Sequence, residues 1–547
     1  MPPTSRGKGK LRGRGRKLFM GQSSFERHYD AHGKNRDKYV AILTVLRRSG
    51  VELSLATKTH ALASAWAHND HDLVDSLLAN SKEFGLVEIL KAATMLDSGR
   101  KIREWEKKLK LQEMNPKKGQ SRQRRAVAKI KVAIKNLIIY KPKFGSLSGS
   151  VARRIKQWAS SISTVDLEFF ALHLPKEPWK KLSDLVHFNP EKDFANLPWF
   201  LPFCYGKRAP IDSMVQNCSR MTHTNVNGLL LLYNVPYAHI KTFKDSLNEE
   251  SKELISRREA MQDTLLWYYE DLCCPAADKV IEERLRADEP VNLPYGKLME
   301  RLLTIKVMRE EKLKSERKVV ATFYHLLLPI AERRLLEIKI SIDAPVVVIG
   351  DRSQSMAIAV QTSTIIASLI CAIAKAELCF FNRTNHHPPV MPRTIEEVLH
   401  LATTLSAVGG TAPAASLLPY YTEKKVCKTF IMVTDEEEND PIFIDFNRYF
   451  FADLFERYHK EVYPARLVFI SFLKQQHTTG KMVKKLQAKG FKPLQFHLDD
   501  QRPDLLKLSN LLGMLASESE DFNDRVIEVE SELQIEGTKK AMAKLVV

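Results

Sequence analysis

The chain lacks the signals by which most enzymes, secreted proteins and membrane proteins are recognised. No C-x-x-C pair occurs, and the seven cysteines are scattered, with Cys273-Cys274 the one close pair. This argues against a zinc site and against a disulfide framework, and leaves reduced, intracellular thiols as the expectation. No run of roughly 18 uninterrupted apolar residues is present, so no transmembrane helix and no membrane partner are expected. The nearest candidate, residues 356–376, is interrupted by Gln361, Thr362, Ser363, Thr364 and Ser368 and reads as a core helix against a sheet. The basic N-terminus is not followed by the apolar segment of a signal peptide. A soluble protein of the cytoplasm is expected, with the nucleus as a further compartment. A Walker A loop, an H-E-x-x-H helix, a nucleophile elbow and a G-x-G-x-x-G following a strand are all missing, so no catalytic activity is expected. Acidic residues are in deficit: 84 Lys and Arg face 65 Asp and Glu, a formal net charge of +19. That balance suits a polyanionic partner and says nothing of fold.

What is present divides the chain. At 547 residues and 44% hydrophobic, it exceeds one ordinary domain and can bury large cores. Residues 1–20 read as a basic arm. Arg6, Lys8, Lys10, Arg12, Arg14, Arg16 and Lys17 stand there without an acid among the first 17 residues, a composition that cannot form a core. A nucleic-acid arm or import signal and a solubilising tail are both open readings.

From residue 21 to about 340 the pattern is helical. Tyr39, Ile42, Leu43 and Leu46 keep the i, i+3, i+4, i+7 spacing, and Leu73, Val74, Leu77 and Leu78 form another stripe. A third, Val87 to Leu96, follows Gly85. Short helices in succession suggest a stacked helical array. Within it, residues 100–156 hold 19 Lys or Arg against Glu104, Glu106 and Glu113. Residues 116–125 read as a loop, and a helix after it carries Arg124, Arg125, Lys129, Lys131 and Lys135 at its start and on its polar side. A phosphate-binding face and an ordinary solvated face are the two readings. The aromatic stretch Leu197 to Tyr205 reads as inter-helix packing before base stacking.

The last third alternates strand and helix, which predicts a mainly parallel sheet with helices on both faces over residues 341–517. The apolar run Ala344 to Gly350 reads as a buried strand. Asp351-Arg-Ser353-Gln-Ser355 follows it, at the carboxyl end where open α/β sheets bind ligands. A helix is expected over Met356–Ala376. A second loop supplies Gly409-Gly410-Thr411, and the strand Thr429–Val433 runs on to Asp435. Asp351, Ser353, Ser355, Thr411 and Asp435 are therefore five oxygen donors from three loops, the ligand type that hard divalent cations need. Mg²⁺ is the expected occupant, since it keeps waters and needs few carboxylates. Arg352 would oppose a cation if it pointed inward, and Glu436, Glu437 and Glu438 read as a solvated loop. Residues 518–547 form an acidic tail, an exposed helix or a segment that folds back on the basic region.

These motifs resemble known ones. The Asp-x-Ser-x-Ser loop, the Gly-Gly-Thr loop and the strand-end Asp435 are similar to the metal-ion-dependent adhesion site of von Willebrand factor A modules. Residues 350–439 resemble the A module of the Ro autoantigen family of RNA-binding proteins, in which a helical TROVE module comes first. Trp179-Lys-Lys-Leu-Ser-Asp-Leu-Val-His187-Phe-Asn-Pro190 is similar to a family segment whose helix carries a His shortly before a Pro. The resemblance implies a HEAT-like helical ring closed by a doubly wound A module. Such a protein binds small noncoding RNAs on its surface and admits the single-stranded ends of misfolded RNAs through a basic hole. It also implies an RNA-contacting role for His187, beside which Lys180 and Lys181 stand. The first expectation is thus a non-catalytic RNA-binding protein of a ribonucleoprotein. The alternative is a scaffold whose metal captures an acidic residue of a protein partner.

Overall fold

Apolar residues every third or fourth position and good capping residues between them build the first two-thirds of the chain. In this computed structural model the described residues are 18–20, 23–49, 51, 53–79, 83–114, 125–135, 147, 149–293, 295–337, 344–357, 359–473, 479–498, 511 and 522–544. The three apolar stripes lie on helices Arg36–Arg48, His71–Leu78 and Leu86–Leu96. Ser54 starts the helix Leu55–Ala67 by accepting from the Thr57 N–H at 3.2 Å. Asp70 does the same for the Leu73 N–H at 3.2 Å. Such caps satisfy donors that the helix itself leaves unpaired.

The chain clusters into two compact units. One comprises Met1–Arg48, Leu53–Ser246 and Asn523–Val547, and the other Ser49–Glu52 and Leu247–Phe522. The helices from Glu249–Arg258 to Tyr324–Glu337 thus group with the sheet: Glu332 accepts from the Ile395 N–H at 2.8 Å. The acidic C-terminal segment belongs to the first unit. It forms the helices Phe522–Glu536 and Thr538–Ala543, whose Phe522, Val526, Val529, Leu533, Ala541 and Met542 are buried. It folds back on Arg36 and Arg48.

The α/β part has eight strands among the described residues: β1 Val346–Asp351, β2 Glu377–Phe381, β3 Asn385–His386, β4 Thr429–Thr434, β5 Ile442–Ile444, β6 Asn447–Tyr449, β7 Arg466–Phe472 and β8 Leu494–Leu498. Six make one sheet in the order β3-β2-β1-β4-β7-β8, parallel except for the edge strand β3. The remaining two form a separate hairpin. Order reverses between β1 and β4, the place where doubly wound sheets put their ligands. Alternate residues of each strand face opposite layers. Val347, Ile349, Phe430, Met432 and Phe469 meet helices Ala414–Thr422, Phe451–Glu461 and Lys481–Ala488 in one core. The fold class expected from the sequence is the one observed. The first helix after β1 starts later than expected, at Val360, because residues 354–356 make a 3₁₀ turn. The same strand–helix alternation predicts a helix over residues 503–515, of which only residue 511 is among the described residues.

Candidate metal centre and nucleic-acid interface

Asp351 ends β1 with its carboxylate 1% exposed. Oδ1 accepts from the Ser353 N–H at 2.9 Å and Oδ2 from the Thr434 hydroxyl at 2.7 Å. Ser353, itself fully buried, shares a 3.0 Å hydrogen bond with the Ser355 hydroxyl. Burial, and then the negative charge of Asp435 at the end of β4, push the Asp351 carboxyl well above its ordinary range. A buried carboxylate beside a second negative charge is relieved by a cation. The loops are tied to one another by backbone. The Gln354 N–H donates to the Gly409 carbonyl at 3.1 Å and the Val408 N–H to the Arg352 carbonyl at 2.8 Å. The Asn439 and Asp440 N–H groups both donate to the Thr411 carbonyl at 3.0 Å. Gly409 sits at φ +86, a conformation that favours glycine.

Asp351, Ser353, Ser355 and Asp435 are thereby gathered at the switch point, and Thr411 is 3% exposed on the loop bonded to the Asp435–Asp440 segment. Among the described residues no group of three or more His, Cys, Asp or Glu could hold a metal ion. The donor set rests on two carboxylates and three hydroxyls, a set that fits a cation retaining several waters and not zinc. Burial and then the Arg352 charge depress the His386 pKa.

The reading of Glu436–Glu438 as a solvated loop is corrected. Glu436 is 1% exposed. Its carboxylate accepts from the Ser471 hydroxyl at 2.5 Å, from Gln495 Nε2, and from the Val483 N–H at 3.0 Å at the start of helix Lys481–Ala488. Glu438 accepts from the Phe451 N–H at 2.5 Å and pairs with Lys485 at 2.9 Å; Glu437 pairs with Lys481 at 2.5 Å. A run of three acids looks solvated in sequence, yet each takes up donors from helices that arrive much later in the chain.

In the helical unit, His187 is placed by the helix Glu177–Val186. Pro178 opens that helix, and Trp179, Leu182, Ser183 and Val186 form its buried face. Trp179 packs among Trp158, Phe170, Phe194 and Phe200. Phe200 is fully buried, so packing is the role this part of the aromatic stretch takes. At the helix end His187 takes the left-handed conformation, φ 54, ψ 66, and its N–H donates to Ser183 at 2.8 Å. Asn189 then caps the next helix through the Glu191 and Lys192 N–H groups. His187 is exposed and contributes to an open groove of ≈ 530 Å³. Arg100, Arg103 and Lys107 of helix Ser98–Met114 line it as well, with Asp97, Glu104 and Asp184.

Arg100, Arg103 and Lys107 were not singled out from sequence. Their i, i+3, i+7 spacing inside the most basic segment was the available signal. The other expected RNA residues among the described ones do not line this groove. Lys180 and Lys181 lie on the same helix as Asp184, with Lys180 paired to Glu177 at 3.2 Å. Arg125, Lys129, Lys131 and Lys135 are exposed on a helix over residues 125–135, and Arg124 lies outside the described residues.

No protein-family model matches the chain, and no curated protein matches it. Among solved structures it is similar to the crystal structure of the Deinococcus radiodurans RO (RSR) protein, at 12% identity and a TM-score of 0.40, covering 84% of this chain and 93% of that one. Among the described residues no helix is long and apolar enough to cross a membrane.

Proposed function

We propose that this chain is a non-catalytic RNA-binding protein of the Ro type, acting in a ribonucleoprotein on small noncoding or misfolded RNA. The observation that carries the reading is the groove at His187. Three cationic side chains from one helix meet an imidazole that a left-handed helix end projects into solvent. Lys and Arg supply affinity for phosphates without reading sequence. An exposed imidazole can stack on an unpaired base or hydrogen-bond to it, as single-stranded RNA ends require. Asp97, Glu104 and Asp184 at the same groove oppose phosphate, so the site favours a strand that approaches along the Arg103 and Lys107 side, where both residues are exposed. The α/β unit adds a site for Mg²⁺ held by Asp351, Ser353, Ser355, Thr411 and Asp435. The cation would supply an open position for an oxygen ligand. That position is the basis of the alternative, a scaffold that captures an acidic residue of a protein partner.

The test is equilibrium binding of labelled single-stranded RNA to the full chain across salt. Charge reversal at Arg100, Arg103 and Lys107 together should weaken binding by at least tenfold. It should also lower the slope of log affinity against log salt by roughly 0.7 for each phosphate no longer neutralised. Unchanged affinity in this variant would remove the groove from the RNA surface. A pull-down that survives ribonuclease but not chelator would favour the scaffold.

A further inference from the structure

The β5–β6 hairpin of the α/β unit carries a second surface that neither the groove nor the metal loops explain. Its register pairs Ile442 with Tyr449, Phe443 with Arg448 and Ile444 with Asn447. Ile442, Ile444 and Tyr449 turn inward and pack against the main core. Alternation then puts Phe443 and Arg448 side by side on the outer face. Phe443 is 68% exposed, and Phe446 at the tip is 103% exposed. The two-residue loop Asp445-Phe446 has φ 48 and φ 64. Hairpin loops with both residues at positive φ take Asn-Gly or Asp-Gly, because glycine alone enters that region without strain. A bulky aromatic held there, and offered wholly to water, costs folding energy that packing does not return. Such strain points to a use outside the fold.

The chemistry of the face narrows that use. The two rings are separate, not a continuous apolar groove, and cationic or amide side chains alternate with them. Arg448 has no acidic partner among the described residues, and its guanidinium lies 4.7 Å from the centroid of the Phe450 ring. Asp445 is the one acid of the turn. A flat ring beside a guanidinium fits a nucleobase with its neighbouring phosphate. Aromatic platforms interleaved with cations are the means by which proteins hold single strands.

We propose that the outer face of this hairpin, through Phe443, Phe446 and Arg448, binds a single-stranded segment of RNA by base stacking and phosphate pairing. The inference rests on the RNA-binding reading and adds a site on the α/β unit to it. The test uses the full chain and a fluorescein-labelled oligouridylate, with the groove variant R100E/R103E/K107E in parallel. F443A/F446A should weaken binding by roughly tenfold for each ring removed and leave the salt slope as in the wild type, because every phosphate partner stays in place. R448E should lower both affinity and slope. F446G should raise thermal stability, by releasing the strained turn, while lowering affinity. F446L keeps apolar area without a π face and should weaken binding by roughly tenfold, the loss set for one ring. If F446L binds like the wild type, stacking is overturned. If F443A/F446A binds normally while R100E/R103E/K107E does not, the hairpin is overturned and the groove stands. If the wild type binds no RNA, both fail. Loss of self-association in F443A/F446A, with RNA affinity intact, would assign the face to a second copy of the chain and overturn the proposal.

Discussion

The Arg48 guanidinium holds the carboxylate of Glu532, 484 positions along the chain, through hydrogen bonds of 2.6 and 3.3 Å, and donates to the Ala541 carbonyl at 2.7 Å. Both side chains are less than a quarter exposed. The C-terminal helix is thus part of the first unit's core and not an appendage. Arg36 adds a bond to Thr538 at 2.8 Å while it holds Asp70. Arg48→Ala should therefore destabilise this unit by about 2 kcal/mol, the range for charged hydrogen bonds removed from a partly buried site. Removing residues 522–547 should cost more, since six buried apolar residues leave with the pair. Urea denaturation of the full chain measures both, and an unchanged midpoint for the truncation would contradict the docking.

Acid should weaken the same unit. His28 is fully buried, its Nδ1 lies 2.9 Å from the Tyr39 hydroxyl, and burial, followed by the charge of His60, lowers its pKa to about 3. Burial lowers the pKa of His60 and His68 too. A base whose folded pKa lies below its unfolded value of about 6.5 is protonated first in the unfolded chain. Stability contributed by neutral His28 is therefore complete above about pH 6.5 and lost as pH falls toward about 3, by up to about 1.4 kcal/mol per pH unit. Asp70, held below its ordinary range by His32 and Arg36 against its burial, adds a loss only below about pH 4. His28→Gln should flatten the upper part of this profile in denaturation measured across pH.

Glu436 and Gly480 should behave as one unit. A Cβ on Gly480 would collide with the Glu436 carboxylate. That carboxylate cannot swing aside without abandoning Ser471 and the Val483 N–H. Glu436→Ala and Gly480→Ala should each cost about 3 kcal/mol, the scale for leaving buried donors unpaired. The double variant should cost clearly less than the sum, because both break the same hydrogen bonds. Additive losses in a double-mutant cycle would show the two positions to be independent.

Mg²⁺ should raise the unfolding temperature of the wild type, as any ligand of the folded state does. Asp351→Ala should abolish that shift while keeping the fold. It removes a buried carboxylate that burial and Asp435 already disfavour in its charged form. Isothermal titration with Mg²⁺ gives the same comparison directly. A wild-type protein that takes up no Mg²⁺ at millimolar concentration would exclude the metal.

Much of the α/β unit was legible in one dimension. Residues 346–351, 377–381, 429–434 and 466–472 are short, mostly apolar runs, as strands buried on both faces are, while residues 494–498 alternate apolar and polar side chains on the edge strand. The positions of Asp351, Ser353 and Ser355 follow from the same local rule, since a ligand loop comes directly after a buried strand. The helices Ala414–Thr422 and Phe451–Glu461 and the β5–β6 hairpin were not recognised, being short elements whose apolar residues include several aromatics common to strands and helices alike.

Sequence alone determined the fold class, the basic balance and the three loops that carry the candidate metal ligands, because period and local order suffice for those. Tertiary structure alone decided which charges are solvated. Glu436 and the acidic C-terminal helix found donors from distant segments, and Arg100, Arg103 and Lys107 joined His187 across some 80 residues of chain. The physical reason is that a charge is paired or exposed according to what packs beside it, and non-local pairing leaves no period in the chain.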